Sequence, residues 1–164
     1  MSGSHKSEVV PIDQVPPADT SGYRPSILVV DDESAIADTM TEILARSGYF
    51  AMTAYDAEDA LETALITPPE LLITDVMLPG MSGIELAITI RRIFPDCKIL
   101  LCSGHASALD LHASARSDGH NFTLLTKPVH PRDMLASVAE CFGLVHQPAS
   151  KAAQVNTKPA QSII

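Results

Sequence analysis

The chain has 164 residues, 46% of them apolar and 19% charged, with a net charge of −9. That length gives room for one domain with a proper core and tails besides, and the apolar share excludes wholesale disorder. Only 11 lysines and arginines are scattered along it, which argues against a phosphate-backbone surface and hence against direct nucleic-acid binding.

No uncharged apolar stretch approaches the roughly 18 residues of a membrane helix, so no membrane segment is expected. Met1 to Gln14 lacks the apolar centre of a signal peptide, and a cytoplasmic location is expected. Cys97, Cys102 and Cys141 are odd in number and lie in or beside apolar segments. They read as reduced core thiols rather than a disulfide framework.

Residues 1–24 carry Pro11, Pro16 and Pro17 without periodicity and are expected to be a flexible leader. The domain then spans 25–145. Ile27-Leu28-Val29-Val30 forms a first strand and runs into Asp31-Asp32. A helix follows over about Glu33 to Ser47, with Ile36, Met40, Ile43 and Leu44 on one face and Gly48 as its stop. Tyr49 to Tyr55 is a second strand, and Asp56 caps a short helix through about Ile66.

After Pro68-Pro69, Leu71-Leu72-Ile73-Thr74 forms a third strand that ends in Asp75. A turn-rich loop from Val76 to Met81 opens a third helix, where Ser82 and Glu85 are spaced as a capping box and Leu86, Ile90, Ile93 and Phe94 make the apolar face. Arg91-Arg92, the densest basic spot, reads as a solvated face of this helix. Pro95 ends it.

Ile99-Leu100-Leu101-Cys102 forms a fourth strand and runs into Ser103. A helix over about Ala106 to Ser117 follows, although Leu109 and Leu111 define no clean stripe. Thr123-Leu124-Leu125-Thr126 leads into Lys127-Pro128, and a last helix starts at Pro131, the first-turn position where proline fits. Residues 146–164, rich in Gln, Ala, Ser, Lys and Asn, are expected to be a second flexible tail.

Four apolar runs rich in Val, Ile and Leu read as strands buried on both faces, which means a parallel sheet. The expected fold is α/β: a doubly wound, five-stranded, flavodoxin-like sheet in the order 2-1-3-4-5 with helices on both faces. Ligands of such sheets bind beyond the carboxyl ends of the strands, at the point where the strand order reverses. Asp31, Asp32, Asp75, Ser103 and Lys127 all fall on that rim. Three carboxylates this close repel one another, and a divalent cation with hard oxygen ligands, Mg2+, suits them. Asp75 can then act as a nucleophile toward phosphorus, with Lys127 supplying charge and Ser103 a hydrogen-bond donor. A helix cap is the simpler reading of Asp31-Asp32 taken alone, and a loop histidine the simpler reading of His105.

The segments Ile-Leu-Val-Val-Asp-Asp-Glu, Asp-Val-Met-Leu-Pro-Gly-Met-Ser-Gly and Leu-Leu-Thr-Lys-Pro resemble the receiver domain of bacterial two-component response regulators, across about residues 26–143. That resemblance implies that Asp75 accepts a phosphoryl group from a histidine kinase or phosphotransfer protein, or from a small acyl phosphate. It implies Mg2+ held by Asp31, Asp32, Asp75 and the backbone carbonyl of Met77, with Ser103 and Lys127 assisting the transfer. The chain would catalyse only its own phosphorylation and dephosphorylation. With roughly 20 residues beyond the last helix, too few for an output domain, a single-domain switch acting through a partner protein is expected. The fourth helix, fifth strand and fifth helix would carry that output.

Two departures accompany the match. Receivers usually place Tyr or Phe three residues before the lysine, where this chain has Leu124; the nearest aromatic, Phe122, is two residues earlier. The signal is therefore expected to travel by displacement of the Ser103 to Ala108 loop and the fourth helix. Met77 stands where a polar residue is frequent, which bears on the phosphoryl lifetime. Two alternatives remain: a phosphorylation-independent docking module with the receiver fold, and a haloacid-dehalogenase-like phosphatase. The phosphatase needs a second acid where Met77 stands.

Overall fold

Ten elements alternate along the chain in the computed structural model: β1 (Ser26–Val30), α1 (Ser34–Arg46), β2 (Phe50–Ala54), α2 (Ala57–Ile66), β3 (Leu71–Asp75), α3 (Gly83–Ile93), β4 (Lys98–Ser103), α4 (Ala106–Ser117), β5 (Thr123–Thr126) and α5 (Pro131–Cys141). The structure describes residues 22–144 apart from His105, and side chains apart from those of residues 106–108. The expected tails at 1–21 and 146–164 and the reading of His105 lie outside the described residues. At the end of the expected leader, Arg24 donates to the carbonyls of Ala45 and Gly48, at 2.8 and 3.2 Å, and the Tyr23 hydroxyl donates to Glu70.

The five strands form one parallel sheet in the order β2-β1-β3-β4-β5, the order expected from the sequence. Side chains alternate across it, so each inner strand feeds two cores. Leu28, Val30, Leu72, Ile99 and Leu101 pack against Ala57, Ala60 and Ala64 of α2, Leu86 and Ile90 of α3 and Ala115 of α4. Ile27, Val29, Ile73, Leu100 and Cys102 pack on the other face against Met40 and Leu44 of α1 and Met134 and Val138 of α5.

Burial on both faces holds for β1, β3 and β4 but not for β5. Its Thr123 and Thr126 are exposed and Leu124 and Leu125 only half-buried. The apolar run at 123–126 marks an edge strand, covered incompletely because among the described residues it pairs with β4 alone.

The helix signals act as their chemistry predicts. The Asp56 side chain accepts from the Asp59 amide at the start of α2. Ser82 and Glu85 close a reciprocal capping box on α3, which satisfies two amide donors at its start. Gly48, at φ +97°, takes the left-handed backbone after α1, and Pro131 opens α5. Two expectations about helix faces need correction. Ile93, in the last turn of α3, is exposed rather than part of the apolar face. Arg91 is half-buried rather than solvated: its guanidinium lies 5.1 Å above the Phe122 ring.

Candidate functional site

The register brings the acids together. Val30 of β1 pairs with Thr74 of β3, so the residues that follow, Asp31 and Asp75, emerge side by side at the carboxyl ends of adjacent strands. Asp75 in turn pairs with Cys102, and Ser103 with Thr126 on β5. The Lys127 amide donates to the Ser103 carbonyl at 2.8 Å. Asp31, Asp32, Asp75, Ser103 and Lys127 therefore stand on one rim, as the sequence predicts.

Asp31 is buried, with 2% of its surface exposed, whereas Asp32 is exposed. Oxygens of Asp31, Asp32 and Asp75 all lie within 4.8 Å of one another, a set that could hold a metal ion. Oxygen-only donors, carboxylates among them, suit a hard divalent cation. The Lys127 ammonium donates to Asp31 Oδ2 at 2.7 Å and to Asp75 Oδ2 at 2.9 Å. Repulsion among the carboxylates is thus offset in part by one positive charge of the chain itself. Asp31-Asp32 does not cap α1 through a side chain: the cap position is Glu33, without a side-chain bond. Instead Asp31 Oδ1 accepts from the Glu33 amide at 3.0 Å, which fixes that carboxylate.

Two opposed effects set the Lys127 ammonium. Burial, the largest single influence, pulls its pKa down; the hydrogen bonds to Asp31 and Asp75 and their charges together outweigh it, and the pKa is raised above 10.5. Asp75 Oδ1 accepts from the Met77 amide at 3.0 Å, so both oxygens of the Asp75 carboxylate are oriented by donors. The Met77 side chain is exposed beside it. Ser103 is buried at the end of β4, and the Lys127–Pro128 peptide is cis.

Two glycines shape the rim in ways the sequence reading left unassigned. A Cβ on Gly83 would stand 1.7 Å from the Asp75 carbonyl oxygen, so only glycine lets α3 start against the backbone of Asp75. Gly104 faces the Lys127 stem, where a Cβ would meet Lys127 Cβ at 3.3 Å. Further off, Phe122 meets the Arg91 guanidinium, 5.1 Å from its ring centroid, and the His120 ring, which stacks on it at 5.9 Å. The His112 Nε2–H donates to the Phe122 carbonyl at 2.8 Å. The Arg91–Phe122 contact joins residues 31 positions apart and leaves no periodic trace.

Cys102 borders the site, but burial pushes its thiol up to about 12, and that of Cys97 up to about 11. Both are free, buried thiols, as expected; Cys141, also free, is half-buried. No helix among the described residues is long and apolar enough to cross a membrane.

Residues 27–139 match the family model described as the response regulator receiver domain. Over 115 residues the chain is 37% identical to the alkaline phosphatase synthesis transcriptional regulatory protein PhoP of Bacillus subtilis (strain 168), covering 68% of this chain and 46% of that protein. The chain thus spans less than half the length of that relative. Among solved structures, a CheY-like response regulator receiver domain protein from Methanospirillum hungatei JF-1 is similar at TM-score 0.68 and 31% identity, covering 74% of this chain and 96% of that one. The receiver domain of an HD domain-containing protein from Pseudomonas fluorescens Pf-5 is similar at TM-score 0.69 and 28% identity, covering 74% and 97%. The acid cluster on the crevice rim, the lysine that bridges two of its members and the match over most of the folded region agree: this chain belongs to the response regulator receiver domain family.

Proposed function

We propose that the chain is a phospho-accepting switch, in which Asp75 takes a phosphoryl group from a histidine kinase, a phosphotransfer protein or a small acyl phosphate. The observation that carries this reading is Lys127 Nζ, within 2.9 Å of the Asp75 carboxylate and 2.7 Å of Asp31, on the rim where three acids converge. A carboxylate oxygen of Asp75 forms the new bond to phosphorus as the bond from phosphorus to the donor's nitrogen or oxygen breaks, and the electron pair of that bond leaves with the donor. Lys127 can turn from the Asp75 oxygen toward the incoming phosphoryl oxygens and offset their charge. The Ser103 hydroxyl, at the end of the adjacent strand, is the hydrogen-bond donor for the transferred group.

Asp31, Asp32, Asp75 and the Met77 carbonyl are the groups that would hold Mg2+, which when bound neutralises charge on the phosphoryl oxygens. Asp31 is fixed for this role by the Glu33 amide. Beyond its own phosphorylation and dephosphorylation the chain would catalyse nothing, and its readout would be a protein partner meeting the α4–β5–α5 side. Incubation with acetyl phosphate and Mg2+, followed by intact-mass measurement, should add one phosphoryl group that is lost on base treatment. Asp75→Asn should abolish the addition and Lys127→Ala should slow it severely. Equal labelling of the wild type and Asp75→Asn would overturn the assignment, and no labelling of the wild type would favour a phosphorylation-independent docking module.

A further inference from the structure

The described side chains of helix α4 hold it to the domain by little. From Leu109 to Ser117, Ala115 is its buried side chain and His112 its half-buried one; all the others are exposed. The two lie three positions apart, hence on one side of the helix. His112 adds a directional tie, the 2.8 Å hydrogen bond to the Phe122 carbonyl. That carbonyl has no proton to give, so Nε2–H is the donor.

The anchor at the far end of this bond is firm. Phe122 is 6% exposed, with the Arg91 guanidinium on its ring and the His120 ring stacked against it at an interplanar angle of 13°. Arg91 Nε is buried there without a hydrogen-bond partner, consistent with a guanidinium held by its contact with the ring. Phe122 precedes β5, five residues before Lys127, about 16 Å along an extended chain. It is the foot of the strand whose other end carries the site lysine.

The other end of α4 is tied to the site through the chain. Gly104 and His105 are all that separate Ser103, at the end of β4, from Ala106 at the start of the helix. His112 stands about 9 Å further along its axis. A helix pulled at its first turn and pinned near its middle, with Ala115 packed beyond the pin, yields by bending at the pin. We infer that His112 is a positioning residue that serves as the pivot of α4, so that movement of Ser103 swings the half of the helix before His112 while the half after it stays fixed to Phe122. Leu109 and Leu111, exposed by 56% and 43%, ride on the moving half. This rests on the phospho-acceptor reading and adds to it the point about which the output helix moves.

Amide NMR of the isotopically labelled full chain, with and without beryllofluoride and Mg2+, tests the pivot. In the wild type, shifts at Ser103 and Lys127 should continue through residues 106–111 and fall to near zero over 113–117. In His112→Ala the shifts at Ser103 and Lys127 should be unchanged, while 113–117 now shift as well. His112→Gln, whose amide nitrogen reaches about as far as Nε2, should restore the confinement. A wild-type response uniform along the helix, an alanine profile identical to wild type, or a glutamine variant no better than alanine would each overturn the pivot. The wild-type profile alone decides should His112→Ala fail to fold. Absence of any response at Ser103 and Lys127 in the wild type would instead bring down the phospho-acceptor reading, and the pivot with it.

Discussion

Replacing Gly83 with alanine tests whether the rim depends on α3 starting against Asp75. The added Cβ would lie 1.7 Å from the Asp75 carbonyl oxygen and 2.7 Å from its carbon. Relief means drawing helix and strand apart by about 1.5–2 Å, toward an ordinary contact of about 3.5 Å. The obstacle is backbone, so no rotamer change removes it. That movement breaks the bond from the Gly83 amide to the Val76 carbonyl, at 2.9 Å, a loss of about 1 kcal/mol. It also loosens Ile84, Leu86 and Ala87 from the core, for which forced overpacking costs about 1–3 kcal/mol.

Together these come to about 3 kcal/mol, which for a domain of this size lowers the Tm by roughly 10 °C. Thermal and urea unfolding of Gly83→Ala measure it directly. Gly104→Ala is the matched control: its Cβ meets only the Lys127 stem, at 3.3 Å, and its cost should stay below about 1 kcal/mol because the unfolded chain also loses freedom. A Gly83→Ala protein as stable as that control would refute the close approach as the reason for glycine here.

The Lys127 ion pairs should appear in the pH dependence of stability. The folded pKa is raised above 10.5, so the contribution is complete below the unfolded value and is lost as pH rises through the folded one. The stability gap between wild type and Lys127→Met should therefore shrink in that alkaline window, and a constant gap would count against the pairing. Asp32→Asn removes the exposed member of the acid cluster; it should raise stability without metal by at most about 1 kcal/mol, since water screens Asp32, and weaken stabilisation by Mg2+ in melting curves. With their thiols pushed to about 11 and about 12 by burial, Cys97 and Cys102 should resist alkylation in the folded protein at neutral pH, while half-buried Cys141 reacts first. Rapid native labelling of Cys102 would contradict its place behind the site.

What the sequence made legible is what one strand or one helix turn can encode. The runs at 27–30, 71–74 and 99–102 announced the inner strands because both their faces are buried. Asp56, Ser82 with Glu85, and Pro131 announced helix starts because caps act over three or four residues. Asp31, Asp75 and Lys127 could be placed on one rim because each follows an apolar run directly. The expected order already put β5 at an edge, but its incomplete burial was hidden because Leu124 and Leu125 have the composition of an inner strand. The role of Gly83 depends on where α3 crosses β3, and the contact of Arg91 with Phe122 joins α3 to the loop before β5. Neither leaves a local signature. Ile93 followed the helical period into the last turn, where the period continues but the core does not.

The same distribution of burial divides the site into a fixed part and a compliant part. Asp31 and Asp75 lie at the ends of strands buried on both faces, and Asp75 is further held by donors on both carboxylate oxygens. Lys127 follows the edge strand, whose side chains are exposed or half-buried. Beside it, from Leu109 to Ser117, α4 buries Ala115, half-buries His112 and exposes the rest. Backbone groups in such weakly buried segments open at lower free energy than core strands. On the proposed reading, a charge added at Asp75 alters the pairing of Lys127 first, and the strain passes toward β5 and α4 rather than into β1 and β3. A phosphoryl group can shift a population only through contacts that differ between the two states, and the contacts free to differ lie on that side. On that reading the aromatic missing at Leu124 costs the chain less than its absence suggests, because Phe122 sits at the foot of β5 as an anchor and the proposed movement is carried by α4 before His112.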